Sequence, residues 1–207
     1  MHARERELRA ANRQLNDANN LLSTQSRTDP LTGLANRLCL REDFAHLASR
    51  SDHGYCLILI DLDRFKDYND DHGHQAGDLV LAQAADVINE TARANDRSYR
   101  YGGEQLLIVL RDQGPDAGLA LAERHRVRVQ GADLPHFLNH PHGVVTLSAG
   151  VAASTPGETP EQVLRRADEA PYEAKANGRN QTAVSEFPDP PAVTARGRTP
   201  ATSPAPS

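Results

Sequence analysis

The sequence predicts an α+β domain whose core elements follow the order β-α-β-β-α-β. Residues 55–60, YCLILI, form a continuous apolar run of buried-strand length, and a segment of helical periodicity follows them. Gly102 and Gly103 then separate two further strand-like runs. This order is the split β-α-β or ferredoxin-like arrangement, for which we expect an antiparallel sheet with helices on one face. A fold of this kind does not by itself assign a function.

Each later element has its own local signal. Residues 77–92 form the first core helix, because their apolar side chains repeat on one helical face. Residues 98–101 and 105–110 form a hairpin, since the glycine pair readily supplies the positive φ values of a two-residue turn. Pro115 suits the first turn of a helix over 115–130, and a strand follows near 144–152. A last helix is predicted over 160–176, ended by Asn177 and Gly178.

The 207 residues fit one domain with an appendage at each end. Residues 28–184 have the size of a single domain. Before them, residues 1–27 carry apolar side chains at alternating spacings of three and four. That pattern predicts a helix that either pairs with a second copy as a coiled coil or lies on its own domain. Residues 185–207 are rich in proline and are expected to be disordered.

Composition and charge exclude several classes of function. A net charge of −5 and an aromatic content of 4% without tryptophan argue against DNA or RNA as a partner. Cys39 and Cys56 are too few for a metal set and are expected to be reduced thiols in a cytosol. No stretch reaches the roughly 18 apolar residues of a membrane helix. We therefore expect a cytoplasmic location, with attachment through a preceding segment left open.

Acidic side chains lie at the ends of two strands that the predicted order makes neighbours. Asp61 and Asp63 come where the first strand ends, and Glu104 comes just after the hairpin turn. Asp61 and Glu104 should therefore meet at one edge of the sheet. Carboxylates so placed suit Mg²⁺ (or Mn²⁺) bound to substrate phosphates. The same spacing also fits aspartates that merely open a turn.

A glycine-rich approach to a helix, with polar side chains on either side, follows this edge. It contains Lys66, Asn69, His74, Gly77 and Asp78. A glycine-rich segment before a helix N-terminus can hold an anion or a nucleotide. Asp78 also fits a simpler role, as an acid favoured in the first helical turn by the helix dipole.

Six motifs resemble, in order and spacing, those of the GGDEF family of diguanylate cyclases over nearly all of residues 28–184. They are DPLTGLANR from residue 29, DLDRFK from 61, GHQAGD from 73, RYGGE from 100, TLSAG from 146 and KANGRN from 175. The resemblance implies a palm-type fold related to polymerases and class III nucleotide cyclases. It also implies condensation of two GTP into cyclic di-GMP and two pyrophosphates by a homodimer, each copy holding one GTP.

The resemblance further implies roles for single residues at the metal and at the substrate. The metal would be held by Asp61, the backbone carbonyl of Leu62 and Glu104. The guanine would be bound by Asn69 and Asp78, and the phosphates by Lys66, Lys175 and Arg179. The catalytic residues implied are Asp61, Glu104, Lys66 and Arg179. The other substrate-binding residues implied are Gly102, Gly103, His74 and Arg100.

A second site is implied for the product. Arg93 and Asp96 are similar to the family's RxxD inhibitory site, in which the arginine grips a phosphate or guanine and the aspartate accepts from a base. In a simpler reading, Arg93 ends a helix and Asp96 opens a turn.

The chain departs from the family pattern at two positions. Gln105 stands where relatives have a second acid. Because successive strand side chains point in opposite directions, Glu104 and Gln105 should not both point at the Asp61 metal; if Glu104 faces it, the main ligand pair is kept. Pro171 stands where relatives have Leu or Met. It predicts a kink or early end of the last helix that misplaces the phosphate-binding residues beyond it.

These departures leave an alternative function open, a degenerate domain that binds cyclic di-GMP or GTP as a receptor or scaffold. The N-terminal helix is also typical of coupling to an upstream sensor domain or protein. A histidine cluster at 136, 140 and 142 is expected to be a solvated loop rather than a metal site.

Overall fold

The computed structural model describes residues 27–49, 54–90, 96–171, 175 and 178–185. The predicted N-terminal helix lies outside these residues except for its last position, as does the predicted tail except for its first. The helices are α1 (Arg37–Ser49), α2 (Phe65–His72), α3 (His74–Asn89), α4 (Pro115–Gly131) and α5 (Pro160–Glu169). The strands are β1 (Tyr55–Leu62), β2 (Arg97–Gly102), β3 (Gln105–Arg111), β4 (Leu147–Ala153) and β5 (Thr182–Val184).

The five strands form one mixed sheet in the order β2-β3-β1-β4-β5. Strand β1 lies at its centre and pairs antiparallel with β3 and β4, while β2 pairs antiparallel with β3. These four strands have the predicted ferredoxin-like order. The predicted antiparallel core is thus confirmed, and the sheet is mixed because an additional strand, β5, pairs parallel with β4. Only three partly exposed residues make up β5, too few to show a periodicity in the sequence.

Helices cover both faces of the sheet, whereas the sequence predicted helices on one face. Cys56, Ile58 and Ile60 of β1 pack in a core with α3 and α4. Leu57 and Leu59 point the other way and pack in a second core with α1 and α5. Because β1 is buried on both faces, it reads as an uninterrupted apolar run rather than an alternating one.

The hairpin turn lies one residue later than predicted. Gly102 pairs with Gln105, so the two-residue turn consists of Gly103 and Glu104. Gly103 has a φ of 53°, which glycine adopts without the strain that a side chain would cause. Glu104 therefore sits inside the turn and not at the start of the next strand.

The last helix ends early, as Pro171 predicts. Helix α5 stops at Glu169 instead of residue 176, because Pro171 has no N–H to donate to the carbonyl of Ala167. That carbonyl packs on Gly150 of β4, where an added Cβ would lie 1.8 Å from its oxygen. The close approach of α5 to the sheet thus depends on a glycine at position 150. Among the residues described, no helix is both long enough and apolar enough to span a bilayer.

Candidate functional site

The centre of the site is the carboxylate of Asp61 at the end of β1. Gln105 is its partner on β3, and the Gln105 Nε2 donates to Asp61 Oδ2 at 3.2 Å. Lys175 Nζ lies 3.2 Å from the same oxygen. Of the two residues, Gln105 and not Glu104 is therefore in register with Asp61. Glu104 lies in the adjoining turn, partly exposed.

Arg100 joins the hairpin turn to the loop that precedes α1. Its guanidinium donates to the carbonyl of Gly103 at 3.1 and 3.2 Å and to the carboxylate of Asp29 at 3.2 and 3.3 Å. Asp29 also accepts from the backbone and hydroxyl of Thr32. Arg100 thus joins the turn that carries Glu104 to the loop at Asp29.

The donor atoms around Asp61 suit a hard divalent cation. Mg²⁺ binds through one or two carboxylates and takes its remaining ligands from water and substrate phosphates. Asp61 offers a carboxylate whose side chain is 22% exposed, with the Leu62 carbonyl beside it in sequence and Glu104 in the turn. In the described ranges no three His, Cys, Asp or Glu side chains gather to hold a metal. A cation here would therefore need phosphate oxygens to complete its shell.

Asp63 is a buried structural acid, with a side chain that accepts three hydrogen bonds. Its residue is 3% exposed, and its oxygens accept from Thr146 Oγ1 at 2.7 Å, Ser148 Oγ at 2.7 Å and Asn180 N at 3.0 Å. The sequence suggested only a turn-opening role. The signal that could have identified it is the Thr-x-Ser pattern of the adjoining chain, which places two hydroxyls on one face of the strand.

The loop that carries Arg179 is fixed through its neighbour Asn180. Both residues have left-handed backbones, with φ of 61° and 51°. Besides donating its N–H to Asp63, Asn180 accepts from Arg126 at 2.9 Å and donates to Gln130 at 3.1 Å. These contacts join the loop to both β1 and α4, and so set the position of the Arg179 backbone.

Lys175 reaches the site in spite of Pro171. Its N–H donates to the Pro171 carbonyl at 2.7 Å, as in a helical turn, and its ammonium contacts Asp61. The helix ends early, as predicted. The predicted misplacement is not seen for Lys175.

The corner between α2 and α3 brings the other predicted substrate residues together. Gly73 makes the corner with φ 85° and ψ 157°, and its N–H donates to the Asn69 carbonyl at 2.8 Å. The Asn69 side chain packs on the backbone of Gly77 in the first turn of α3. Asp78 is the next residue and is exposed, as are His74 and Lys66. Asn69 and Asp78 therefore belong to one corner of the molecule.

The histidine cluster is only partly the solvated loop that the sequence predicted. His136 is 1% exposed, and its Nε2 lies 3.1 Å from the carbonyl oxygen of Arg64. Burial lowers its pKa. His140 is exposed, and His142 Nε2 lies 3.3 Å from the carbonyl oxygen of Gly178. The prediction is wrong for His136, which supports the start of α2 through Arg64.

A second cleft lies on the other side of the domain, between β3 and α4. Asp96, Gln113 and Arg124 contribute polar groups to its lining, together with apolar residues of β3 and α4. Asp96 Oδ1 is buried and has no hydrogen-bond partner among the described residues. Arg93 lies outside those residues, so its predicted role there stays a prediction.

Comparison with known proteins places this site in a family. Residues 26–181 match the family model described as diguanylate cyclase, GGDEF domain. The chain is 42% identical over 159 residues to the response regulator PleD of Caulobacter vibrioides, covering 74% of this chain and 35% of PleD. It is 38% identical over 164 residues to the diguanylate cyclase DgcZ of Escherichia coli, covering 78% and 54%. The matches thus span about a third to a half of these relatives.

Solved structures show the same fold. The coiled coil and GGDEF domain of DgcB from Caulobacter crescentus, in complex with c-di-GMP, matches with a TM-score of 0.71 and 30% identity, covering 88% of this chain and 98% of that one. The active GGEEF domain of a diguanylate cyclase from Vibrio cholerae matches with a TM-score of 0.65 and 34% identity, covering 75% and 99%.

Proposed function

This chain belongs to the GGDEF family of diguanylate cyclases, and on that premise we propose that it condenses two GTP molecules into cyclic di-GMP and two pyrophosphates. In each half-reaction a 3′-oxygen bonds to the α-phosphorus of the other nucleotide. The bond from that phosphorus to the pyrophosphate oxygen breaks, and the hydroxyl proton is released. Phosphoryl transfer of this kind needs mainly positioning and charge neutralisation.

The guanine is proposed to bind at the corner between α2 and α3. The observation that carries the proposal is the packing of the Asn69 amide on Gly77, the residue that precedes the exposed Asp78 in the first turns of α3. A carboxylate accepts from the N1–H of guanine, and the amide oxygen of Asn69 accepts from its 2-amino group. His74 is at the N-terminus of α3 in the same corner.

The phosphates are proposed to bind between this corner and the end of β1. Lys66, Lys175 and Arg179 supply positive charge, while Gly102 and Gly103 let the backbone come close to the nucleotide. Asp61, the Leu62 carbonyl and Glu104 would hold Mg²⁺ (or Mn²⁺), which would neutralise charge on the phosphates as the leaving group departs. Lys175 contacts Asp61 and therefore already lies at the proposed metal edge.

Two copies of the chain are proposed to act together. Each site has one guanine corner and one metal edge, and therefore holds one GTP. The reaction joins two nucleotides in antiparallel orientation, so a homodimer is needed to bring two loaded sites face to face. An upstream sensor domain or protein would control that encounter.

The product is proposed to inhibit the enzyme at Arg93 and Asp96. Support comes from the buried Asp96 Oδ1, which has no hydrogen-bond partner among the described residues, and from Arg124, which lines the same cleft. An arginine can bind a phosphate or guanine with two hydrogen bonds, and an aspartate can accept from a guanine base.

The alternative function is a receptor or scaffold that binds cyclic di-GMP or GTP without turnover. Gln105 favours it, because an amide in register with Asp61 provides one carboxylate fewer than the family pattern. The same cleft at Asp96 would then be the main ligand site.

One assay separates the two functions. Purified protein is incubated with GTP and MgCl₂ over a range of protein concentrations, and cyclic di-GMP and pyrophosphate are measured. The cyclase proposal predicts both products in a 1:2 ratio, and none from the Asp61→Ala variant. Retained cyclic di-GMP binding with no turnover at any protein concentration would leave the receptor function in its place.

A further inference from the structure

Gly77 has no side chain, and the Asn69 side chain packs directly against its backbone. An ideal Cβ at position 77 would lie 1.8 Å from Asn69 Oδ1, 2.8 Å from Asn69 Cγ and 3.3 Å from Asn69 Nδ2. Real Cβ atoms essentially never approach a heavy atom within 3.0 Å. The whole amide of Asn69 therefore uses the space that any side chain at 77 would fill.

From this contact we propose that Gly77 is a specificity-determining residue for the guanine base, acting through Asn69. The proposal rests on the proposed function, in which Asn69 and Asp78 bind guanine. Gly77 touches neither the base nor the phosphates in this scheme. It leaves room for the Asn69 amide against the start of α3, one residue before Asp78, so that the two groups can bind one base together.

The backbone around the contact is fixed, so Asn69 is the group that moves. Gly77 lies in the first turn of α3, where its N–H donates to the Gly73 carbonyl at 3.1 Å. On the other side, the Asn69 backbone belongs to α2, and its carbonyl accepts from the Gly73 N–H. A methyl group at position 77 would thus shift the Asn69 amide by more than about 1 Å, through a rotation of its side chain.

Gly77→Ala should therefore affect binding of the base without affecting the stability of the fold. The Asn69 amide is the far end of a flexible side chain and can rotate at small cost, while alanine is a better helix former than glycine. Stability should therefore hold. A displacement of about 1 Å in a positioning group can lower a binding or catalytic constant by roughly a hundredfold. The loss of affinity should come from contacts with the base. Contacts with the phosphates, proposed for Lys66, Lys175 and Arg179, should be unchanged.

The test measures nucleotide affinity without turnover. Calorimetry with MgCl₂ compares 3′-deoxy-GTP, which lacks the attacking hydroxyl, with 3′-deoxy-ITP, which also lacks the 2-amino group of guanine. The proteins are the unaltered chain, Gly77→Ala, Asn69→Ala and the double variant. The control is Gly131→Ala, a helical glycine in α4 whose added Cβ would meet nothing within 4 Å.

Gly77→Ala is expected to weaken 3′-deoxy-GTP binding by roughly tenfold to a hundredfold and 3′-deoxy-ITP binding by less than about threefold. In the Asn69→Ala background the same change should alter neither affinity by more than about twofold, because the clash is gone. Gly131→Ala should match the unaltered protein. If Gly77→Ala folds poorly, a well-folded double variant would show that the poor folding comes from the clash with Asn69.

Two results would overturn the inference in distinguishable ways. If the unaltered protein prefers guanine and Gly77→Ala keeps that preference, or loses it equally with and without Asn69, then Gly77 does not act through Asn69. If the unaltered protein binds both nucleotides equally, the guanine site itself fails, and the inference fails with it.

Discussion

Replacing Gln105 by glutamate tests whether positions 61 and 105 form one metal edge. The Gln105 amide donates to Asp61 Oδ2 at 3.2 Å across neighbouring strands. Gln105→Glu removes that donor and sets two carboxylates opposite each other. Like charges directly across a sheet destabilise it.

The size of the effect follows from Coulomb's law. Two unit charges about 4 Å apart repel by about 4 kcal/mol at an effective dielectric constant of 20, and by about 1 kcal/mol in bulk water. The Asp61 side chain is 22% exposed and Lys175 offsets part of its charge, so an intermediate value applies. We expect the metal-free variant to lose about 2 kcal/mol of unfolding free energy.

Magnesium should reverse this loss, because two carboxylates bind the ion more tightly than one. A ligand at a hundred times its Kd stabilises a folded protein by about 2.7 kcal/mol. The assay is urea unfolding of both proteins in EDTA and in MgCl₂. The matched control is Gln83→Glu, an exposed position on α3.

Two outcomes would refute the reasoning. If Gln105→Glu and Gln83→Glu unfold alike in EDTA, the side chains at 61 and 105 do not face each other in solution. If Gln105→Glu is destabilised but gains no more from MgCl₂ than the unaltered protein, position 105 adds no ligand to a metal at Asp61.

Three further changes concern stability. Asp63→Ala leaves three hydrogen-bond donors without their acceptor, and we expect it to lower the free energy of unfolding in urea by about 3 kcal/mol. The control Asp70→Ala should leave that free energy unchanged. A loss below about 1 kcal/mol for Asp63→Ala would contradict the buried network. Burial lowers the pKa of His125 from 6.5 to about 4, so its imidazole takes up a proton on unfolding. Its contribution is present above pH 6.5 and is lost as the pH falls toward 4, with about 2 kcal/mol gone by pH 5; a His125→Gln variant with the same pH slope would contradict this. Gly150→Ala drives a methyl group into the α5 backbone and should cost about 2 kcal/mol or more, whereas Gly131→Ala should not destabilise; equal midpoints would show that α5 can move away.

The sequence predicted those elements whose signal is local and repeated. The apolar run at residues 55–60 identified the central strand because that strand is buried on both faces. Pro171 identified the early end of α5, because a proline removes one helical hydrogen bond whatever its surroundings. Six motifs in register predicted the family, and the family model confirms it.

What the sequence could not predict depends on pairing between distant residues. The shift of the turn by one position brought Gln105 rather than Glu104 opposite Asp61, and only strand register decides that. The burial of Asp63 depends on hydroxyls more than 80 residues away in the chain. His136 is buried because its loop folds back on the start of α2. No periodic pattern in the sequence indicates that contact. The parallel pairing of β5 likewise forms only after the rest of the sheet is in place.

The central position of β1 determines where motion at the site can occur. Its residues pair with neighbours on both sides, so its amide hydrogens should exchange with solvent only when the whole domain opens. Asp61 is therefore anchored on the least mobile strand of the sheet. In the proposed function, a nucleotide that enters or leaves would be accommodated by side-chain movements, at Asn69 in the corner between α2 and α3 and at Lys175 and Arg179 beyond α5. On that proposal, the metal-binding edge of the sheet stays fixed while the side chains that bind the base and the phosphates move.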